Sequence, residues 1–269
     1  MIPNRIGTAA IARAYDSQSN AFDNYEKGNA ILKRMRRIVH WHMESLTESG
    51  QSLLDLNAGT GIDALFFAKQ GMFVYAIDIS QAMLDKLRVK VSKTEFEGRI
   101  TLEQRSFMQL ADLPERSFDH IFSNFGGLNF TSDPGAVIRQ FERLLKPGGV
   151  VTLVVMPPLS PWEVAAAFKG NFKMAFRRLK KGTDANVEGV HFPVFYYRPG
   201  KLIKEFGRSY DRIAILGLSS VAPPPNFDRF FSKHHALVRG LALVEDHVSR
   251  YPPFNSWADH YIISMRYKP

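Results

Sequence analysis

The chain carries short apolar runs separated by segments in which apolar residues recur every three or four positions. The runs predict strands at 52–56, 72–77, 100–104, 118–124 and 150–156. The spaced segments predict helices at 61–70, 80–92 and 133–145. Strands that alternate with helices indicate βαβ units and a parallel sheet. The predicted fold class is therefore α/β, with a doubly wound sheet.

The flanking segments extend this pattern on both sides. Further helices are predicted at 8–48, 162–181, 200–206 and 227–248. Two further strands are predicted at 212–218 and 260–267. Because a long excursion separates these two strands, we expect them to form an antiparallel edge pair in a seven-stranded, mostly parallel sheet. The chain shows no internal repeat and no low-complexity linker, which favours a single domain over residues 1–269.

The 269 residues include no cysteine. This excludes a disulfide framework, a thiolate zinc site, an iron–sulfur cluster and a cysteine nucleophile, and no other metal site is predicted. The longest apolar run, at 150–156, is too short to span a bilayer, and the first residues contain no apolar core of signal-peptide length. We therefore expect a cytoplasmic protein without a transmembrane segment.

The net charge of +9 is concentrated in one segment. Residues 169–212 contain 11 Lys and Arg against 4 acids, so that this segment carries +7. A basic patch attracts anions such as nucleic acid, acidic lipid, or a small carboxylate or phosphate substrate. A solvated helical face is the alternative interpretation, and the sequence leaves both open.

The turn after the first predicted strand carries the most specific chemical signal. Asp55 lies near the end of that strand, and residues 57–61 (Asn-Ala-Gly-Thr-Gly) lead into the next helix. Glycine permits a sharp turn and a close approach of a ligand to the backbone, and the amides of a helix N-terminus suit an anionic group. Asp78 ends the second strand, where a carboxylate can accept both ribose hydroxyls of a nucleoside.

These residues resemble those of the class I S-adenosylmethionine-dependent methyltransferases, which have a Rossmann-like fold. The family's Asp-x-Gly-x-Gly-x-Gly turn is similar to Asp55-Leu-Asn-Ala-Gly59-Thr-Gly61, and its next block is similar to residues 78–84 (Asp-Ile-Ser-Gln-Ala-Met-Leu). Residues 113–124 and 144–155 are similar to the fourth and fifth strand regions of the family. The resemblance covers about residues 15–156. It implies a helical lid (1–50), a cofactor-binding half (51–156) and a substrate-side half with inserted helices (157–269).

The resemblance implies a methyltransferase that binds S-adenosylmethionine at the strand ends. The cofactor-binding residues that it implies are Asp55, Asn57, Ala58, Gly59, Gly61, Asp78, Ile79, Met83, Ser106, Phe107, Asn124 and Phe125. In this assignment the turn backbone holds the methionine part and Asp78 the ribose hydroxyls, while Ile79 and Met83 pack on the adenine. Asn124 and Phe125 face the reacting sulfonium.

The sequence departs from the family pattern at two of these positions. Asn57 stands where the family usually has its first glycine, and we expect Asn57 to adopt a positive φ, because asparagine does so more readily than other non-glycine residues. Ser106 stands where many members have an acid that binds the adenine amino group. We expect its hydroxyl and the backbone at Phe107 to serve instead.

The acceptor is predicted to be a small molecule, anionic or aromatic, methylated by direct in-line transfer. The resemblance places the acceptor side on the lid and the second half of the chain, where the candidate residues are Tyr15, Tyr25, His191 and Tyr197. The Tyr15-Asp16 and Phe22-Asp23 pairs resemble the family's lid helix. No catalytic residue is assigned, since a general base is needed only if the acceptor must lose a proton.

Three other functions remain open at this point. The basic 169–212 segment with its aromatic residues also fits an RNA methyltransferase, although no Asn-Pro-Pro-Tyr-type motif follows the fourth strand. Residues 59–64 match Gly-x-Gly-x-x-Ala of nicotinamide oxidoreductases. A binding module that has kept the fold without catalysis is the third alternative. The sequence does not determine the oligomeric state.

Overall fold

The computed structural model describes residues 5–180, 182–228 and 233–269. Seven strands form one sheet in the order β3-β2-β1-β4-β5-β9-β8, and β6 and β7 form a separate hairpin. The strands are β1 (Ser52–Asp55), β2 (Phe73–Asp78), β3 (Ile100–Gln104), β4 (Phe118–Ser123), β5 (Leu145–Val155), β6 (Thr183–Val187), β7 (Val190–Val194), β8 (Tyr210–Leu218) and β9 (His260–Tyr267). The first five are parallel, while β9 pairs antiparallel with both β5 and β8. The predicted seven-stranded α/β fold with an antiparallel edge pair is thus confirmed.

Helices cover both faces of the sheet. They are α1 (Arg5–Gly28), α2 (Ala30–Glu44), α3 (Ile62–Lys69), α4 (Gln81–Val91), α5 (Pro134–Ile138), α6 (Phe141–Leu144), α7 (Pro161–Val164), α8 (Phe172–Ala175), α9 (Pro199–Phe206) and α10 (His235–Val248). One buried cluster packs α5, α6 and α9 on the sheet through residues such as Phe141 and Leu202. A second packs α2, α3 and α4 through residues such as Met35, Phe67 and Leu87.

The strand register aligns the carboxyl ends of the central strands. Asp55 pairs with Ala76 of β2 and Phe122 of β4, and Asp78 pairs with Gln104 of β3. The loops that follow these strands therefore meet at one edge of the sheet, which is where open parallel sheets bind ligands.

The helix predicted over 8–48 is divided in two. Asn29 separates α1 from α2, and its side chain accepts a hydrogen bond from the Leu32 amide, as the N-cap of α2. The helix predicted over 133–145 is likewise two short helices, α5 and α6. The Lys-Pro-Gly-Gly sequence at 146–149, which is typical of a helix end, lies inside β5, where the ladder with β4 is irregular.

The long helix predicted over 162–181 is wrong. This segment consists of α7, α8 and two turns of 3₁₀ helix, and residue 181 lies outside the described residues. Gly170 adopts a φ of 76°, and the Asn171 side chain caps α8, so the chain cannot continue as one helix there. The β6–β7 hairpin was not predicted. Of the helix predicted over 227–248, the structure describes α10, and residues 229–232 lie outside the described part.

Within the described parts of the chain, no helix combines the length and the apolar character needed to cross a membrane.

Candidate functional site

A pocket lies at the carboxyl ends of β1, β2 and β4, beneath α1. It encloses about 1010 Å³ of empty space, part of it open to solvent. All of the predicted cofactor-binding residues line it except Asp55 and Gly61, and so does the acceptor-side candidate Tyr15. The structure therefore brings together residues that span positions 15 to 125 of the sequence.

The turn after β1 is stabilised by a side chain where the family pattern has a glycine. The Asn57 amide nitrogen donates to the Asn124 carbonyl oxygen at 2.7 Å, and its oxygen accepts from the Ser123 hydroxyl at 2.6 Å. The positive φ that we expected at Asn57 is wrong, because this residue cross-links the turn to the end of β4 instead. The bare backbone of Gly127 makes room, since a Cβ there would lie 2.7 Å from the Asn57 Cγ.

The two glycines of the turn supply the unusual backbone conformation. Gly59 has a φ of 54° and Gly61 a φ of 82°, and Gly61 is the N-cap of α3. Asp55 lies behind the turn, where one carboxylate oxygen accepts from the Asn57 amide at 3.4 Å. Burial, aided by the nearby Asp63, raises the pKa of Asp55 well above its usual value.

Backbone amides of the turn after β1 and of the loop after β2 hold the Asp78 side chain. One carboxylate oxygen accepts from the Gly59 amide at 2.8 Å, and the other accepts from the Ser80 amide at 2.8 Å. Burial raises the pKa of Asp78, although these two amides act in the opposite direction. Each oxygen has a second lone pair, so the fixed carboxylate retains the capacity to accept hydroxyl donors from the pocket.

The wall beside Asp78 is formed by Ile79, Met83, Ser106 and Phe107. Met83 is buried in the first turn of α4, whose N-cap is Ser80. The Ser106 hydroxyl oxygen accepts from the Met108 amide at 3.2 Å. Because that bond uses a lone pair, the Ser106 hydroxyl proton remains available to a ligand acceptor.

A buried network of charges lies at the other end of the pocket. Arg36 of α2 donates from Nε to Glu26 at 2.7 Å and from Nη1 to Asp63. The second oxygen of Asp63 lies 2.7 Å from the His40 ring nitrogen, and Asn124 donates to Asp63 at 3.0 Å. Burial alone would raise the pKa of Asp63, but the charge of Arg36 and the contact with His40 hold it below its usual value.

Arg36 lines the pocket and was missed in the sequence analysis. Its guanidinium has five N–H groups, of which the bonds to Glu26 and Asp63 use three. The guanidinium carbon of Arg36 lies over the Phe125 ring, 4.7 Å from the ring centroid. Two N–H groups are therefore left without a partner among the described residues.

Helix α1 closes the pocket with two aromatic–aspartate pairs seven residues apart. Tyr15 and Phe22 line the pocket, while Asp16 accepts from the Ser80 hydroxyl at 2.6 Å and the Ala82 amide at 3.1 Å. Asp23 accepts from the Thr60 hydroxyl at 2.6 Å and pairs with Lys90 at 2.7 Å. We call these two aspartate contacts the lid latch.

The part of the pocket that contains the predicted acceptor-side residue Tyr15 is aromatic. Tyr15 packs against Phe130 at 5.8 Å between ring centroids, and Phe130 packs edge-on against Phe192 of β7 at 5.5 Å. Burial, with a contribution from Asp78, raises the pKa of the Tyr15 hydroxyl, which therefore stays protonated. The hairpin thus forms a roof over α1 and the pocket.

The other three acceptor-side candidates lie outside the lining of this pocket. Tyr25 is exposed, and the Asn29 amide donates to its hydroxyl at 3.5 Å. His191 is exposed on β7, where its ring nitrogen lies 2.5 Å from Asp184. Tyr197 is buried, and its hydroxyl donates to the Thr131 carbonyl oxygen.

Two arginines of the basic 169–212 segment are committed to ion pairs. Arg177 makes two bonds to Glu163, at 2.6 and 2.7 Å. Arg178 is buried and bonds Glu163 at 2.6 Å and Asp259 at 2.6 Å. Two cations of the predicted positive patch are therefore used in ion pairs within the fold. The positive charge available to an anionic partner is smaller than the number of Lys and Arg residues in the segment suggests.

Comparisons with known proteins find methyltransferases among the similar proteins. Residues 53–149 match the family model described as a methyltransferase domain. A demethylmenaquinone methyltransferase from Symbiobacterium thermophilum is 30% identical over 135 residues, which is 47% of this chain and 52% of the relative. An S-adenosyl-L-methionine-dependent Diels-Alderase, iccD from Talaromyces variabilis, is 31% identical over 126 residues, which is 46% of this chain and 43% of the relative. The chain thus spans about half the length of these curated relatives.

One solved structure shares the fold over almost the whole chain. It is 1,6-didemethyltoxoflavin-N1-methyltransferase from Burkholderia thailandensis, with bound 1,6-didemethyltoxoflavin and S-adenosylhomocysteine. The alignment covers 97% of this chain and 88% of that one, with a TM-score of 0.60 and 14% identity. At this identity the likeness shows the fold alone.

If the lid latch holds α1 against the pocket, removing it should loosen α1. Replacing both aspartates, Asp16→Asn and Asp23→Asn, removes charge-assisted hydrogen bonds that join α1 to α4 and to the turn after β1. Amide hydrogen exchange in α1 should become at least about tenfold faster, while the sheet stays protected. The control is Asp85→Asn, because Asp85 is exposed on α4 and pairs only locally with Arg88. Unchanged exchange in α1 would contradict the latch.

Proposed function

We propose that this chain, which belongs to the class I S-adenosylmethionine-dependent methyltransferases, methylates a small-molecule acceptor. The observation that carries the proposal is the convergence of Asp78, the Gly59 turn and Arg36 on one pocket beneath α1. These groups match three features of the donor: a ribose with two hydroxyls, a methionine chain, and the carboxylate at the end of that chain. When bound, S-adenosylmethionine supplies a methyl group on a sulfonium.

The residues at the two ends of the pocket fit the polar ends of this donor. Asp78, fixed by two backbone amides, accepts the ribose hydroxyls. Arg36 presents two uncommitted N–H groups toward the carboxylate, and Asp63 with Glu26 holds the guanidinium in place. Ser106 offers a hydroxyl proton to the adenine edge. The distance between the ends is set by β1, β2 and α2, so the pocket binds the donor in an ordered pose.

The middle of the pocket is suited to the transfer step. Asn124 and Phe125 end β4 between the two polar sites, and Tyr15 and Phe130 lie on the acceptor side. Aromatic faces tolerate a cationic donor, and α1 with the hairpin excludes water from the reacting groups. Positioning the acceptor in line with the methyl–sulfur bond supplies the main part of the catalysis. No residue is required to hold the acceptor's proton if the nucleophile is already unprotonated.

The proposed acceptor is apolar or aromatic and can carry an anionic group. The acceptor side is formed by rings and aliphatic chains such as Ile11, Tyr15 and Phe130, which fits a small apolar molecule. Lys201 and Lys204 are exposed but do not line the pocket, so the support for this acceptor comes from the apolar lining. An RNA acceptor is supported less well, because Arg177 and Arg178 are already paired with carboxylates.

A cyclase that uses the same donor pocket is a second candidate. The relative from Talaromyces variabilis is an S-adenosyl-L-methionine-dependent Diels-Alderase. The observation that favours this candidate is that Asp63 and Asp78, the carboxylates among the described lining residues, are both engaged by hydrogen bonds. An apolar pocket without a free base suits a cyclisation that moves no proton.

Two substitutions should separate the two polar ends of the donor site. Asp78→Asn should weaken both S-adenosylhomocysteine and 5′-methylthioadenosine at least about tenfold, because both contain the ribose. Arg36→Lys should weaken only S-adenosylhomocysteine, because methylthioadenosine has no carboxylate and lysine lacks the planar fork of arginine. Isothermal titration calorimetry measures both, with Asp85→Asn as the control and thermal melting as the check of folding. Equal loss of both ligands in Arg36→Lys would refute the assignment of Arg36.

The class of acceptor can be identified with a labelled donor. We expect methyl transfer from S-adenosylmethionine to apolar or aromatic metabolites in a panel, and little transfer to total RNA. Transfer to RNA alone, falling steeply with salt, would favour the RNA methyltransferase. The cyclase would be favoured if the chain binds the donor but transfers no methyl group to metabolites or RNA. In that case a polyene in the same panel should be consumed only when the donor is present. Each reaction is followed by mass spectrometry of the products.

A further inference from the structure

Residues 164–179 expose an unusual amount of apolar surface. The side chains of Val164, Phe168, Phe172, Phe176 and Leu179 are all exposed, and Phe168 is 94% accessible. Several large apolar side chains exposed within one short folded segment mark a candidate interaction site. We call these five residues the phenylalanine-rich surface.

The segment that carries this surface is anchored on its inner side. Arg178 is buried, and it bonds Glu163 and Asp259 while its guanidinium lies 5.3 Å from the Tyr196 ring. The short helices α7 and α8 pack on each other and on the turns between them. The phenylalanine side chains are therefore held outward by a folded support.

The charged residues within this segment are of one sign. Between Val164 and Thr183 the sequence contains six Lys and Arg and no acid. Lys173 and Lys180 are exposed, whereas Arg177 and Arg178 are paired with Glu163. The surface thus combines apolar rings with uncompensated cations, which is the composition of segments that lie in the interface of a membrane.

We propose that the phenylalanine-rich surface docks on an anionic lipid membrane. The rings would enter the boundary between headgroups and acyl chains, and Lys173 and Lys180 would lie against the anionic headgroups. Since the described helices cannot cross a bilayer, the contact is peripheral. The docked segment contacts the roof of the pocket, because Arg178 packs on Tyr196, which belongs to the same apolar cluster as Tyr15.

Two other occupants fit the same surface less well. A symmetric dimer through this patch would bring Lys173 and Lys180 of one copy against the same cations of the other. RNA would use the rings for stacking, but Val164 and Leu179 have no ring, and the two arginines of this segment, Arg177 and Arg178, are already paired with Glu163. An anionic membrane accommodates both the exposed apolar side chains and the positive charges of Lys173 and Lys180.

The membrane contact has a consequence that rests on the proposed function. A membrane-docked pocket would receive a lipophilic acceptor from the bilayer, which agrees with the aromatic acceptor side. We expect donor binding not to depend on docking, because none of the five residues of the phenylalanine-rich surface lines the pocket that contains Asp78 and Arg36. The two proposals can therefore fail separately.

Vesicle co-sedimentation of the whole chain tests the docking. We expect binding to vesicles that contain phosphatidylglycerol, weaker binding to pure phosphatidylcholine, and loss of binding at high salt. The double variant Phe168→Ser, Phe172→Ser should lower the partition coefficient at least about tenfold, because it removes two rings from the interface. The double variant Lys173→Glu, Lys180→Glu should abolish the preference for the anionic lipid.

The matched control is Phe73→Ser. Phe73 is exposed beside Arg99, but it starts β2 and so lies at the end of the sheet opposite the pocket. This variant should bind vesicles as the unaltered chain does. Calorimetry with S-adenosylhomocysteine should give equal affinity for all variants, which separates a failure of docking from a failure of the donor site.

Three results would overturn the proposal. The first is that the unaltered chain does not sediment with anionic vesicles. The second is that the phenylalanine double variant sediments with these vesicles as well as the unaltered chain does. The third is that sedimentation velocity or RNA gel shifts detect a dimer or an RNA complex that the double variant loses, while vesicle binding is absent.

Discussion

The buried carboxylate of Asp63 is the point at which the lid helices are joined to the cofactor edge of the sheet. It accepts from Arg36 and lies against His40, both on α2, and it accepts from Asn124 at the end of β4. Arg36 extends the network to Glu26 on α1. Breaking one partner of such a network leaves a buried charge uncompensated, which costs about 3–5 kcal/mol. The shape of the pocket therefore depends on this carboxylate.

The proposed donor site could be predicted from the sequence where the backbone itself carries the signal. Gly59 and Gly61 mark a turn that needs positive φ, and Asp78 ends a strand whose position in the sheet follows from the βαβ pattern. Arg36 could not be found in this way, because its role depends on contacts with residues 10 and 27 positions away. A cation on the buried face of α2, beside Met35 and Val39, was the available signal, since a buried charge needs partners.

The second half of the chain was harder to predict for a physical reason. Phe168, Phe172 and Phe176 recur every four residues, which is the spacing of a buried helical face, yet all three are exposed. Gly170 and Asn171 interrupt the helix between them, and the anchor of the segment is the polar residue Arg178. A four-residue spacing of apolar side chains indicates a helix only when no residue between them ends the helix. The β6–β7 hairpin escaped prediction because its pairing is set by packing against α1.

The central claim is that one pocket beneath α1 binds S-adenosylmethionine, with the ribose at Asp78 and the carboxylate at Arg36. A crystal structure of the chain with S-adenosylhomocysteine tests this claim most directly. We expect both ribose hydroxyls within hydrogen-bond distance of the Asp78 carboxylate and the ligand carboxylate against the remaining N–H groups of Arg36. A ligand bound elsewhere, or bound in this pocket with its carboxylate away from Arg36 and its ribose away from Asp78, would contradict it.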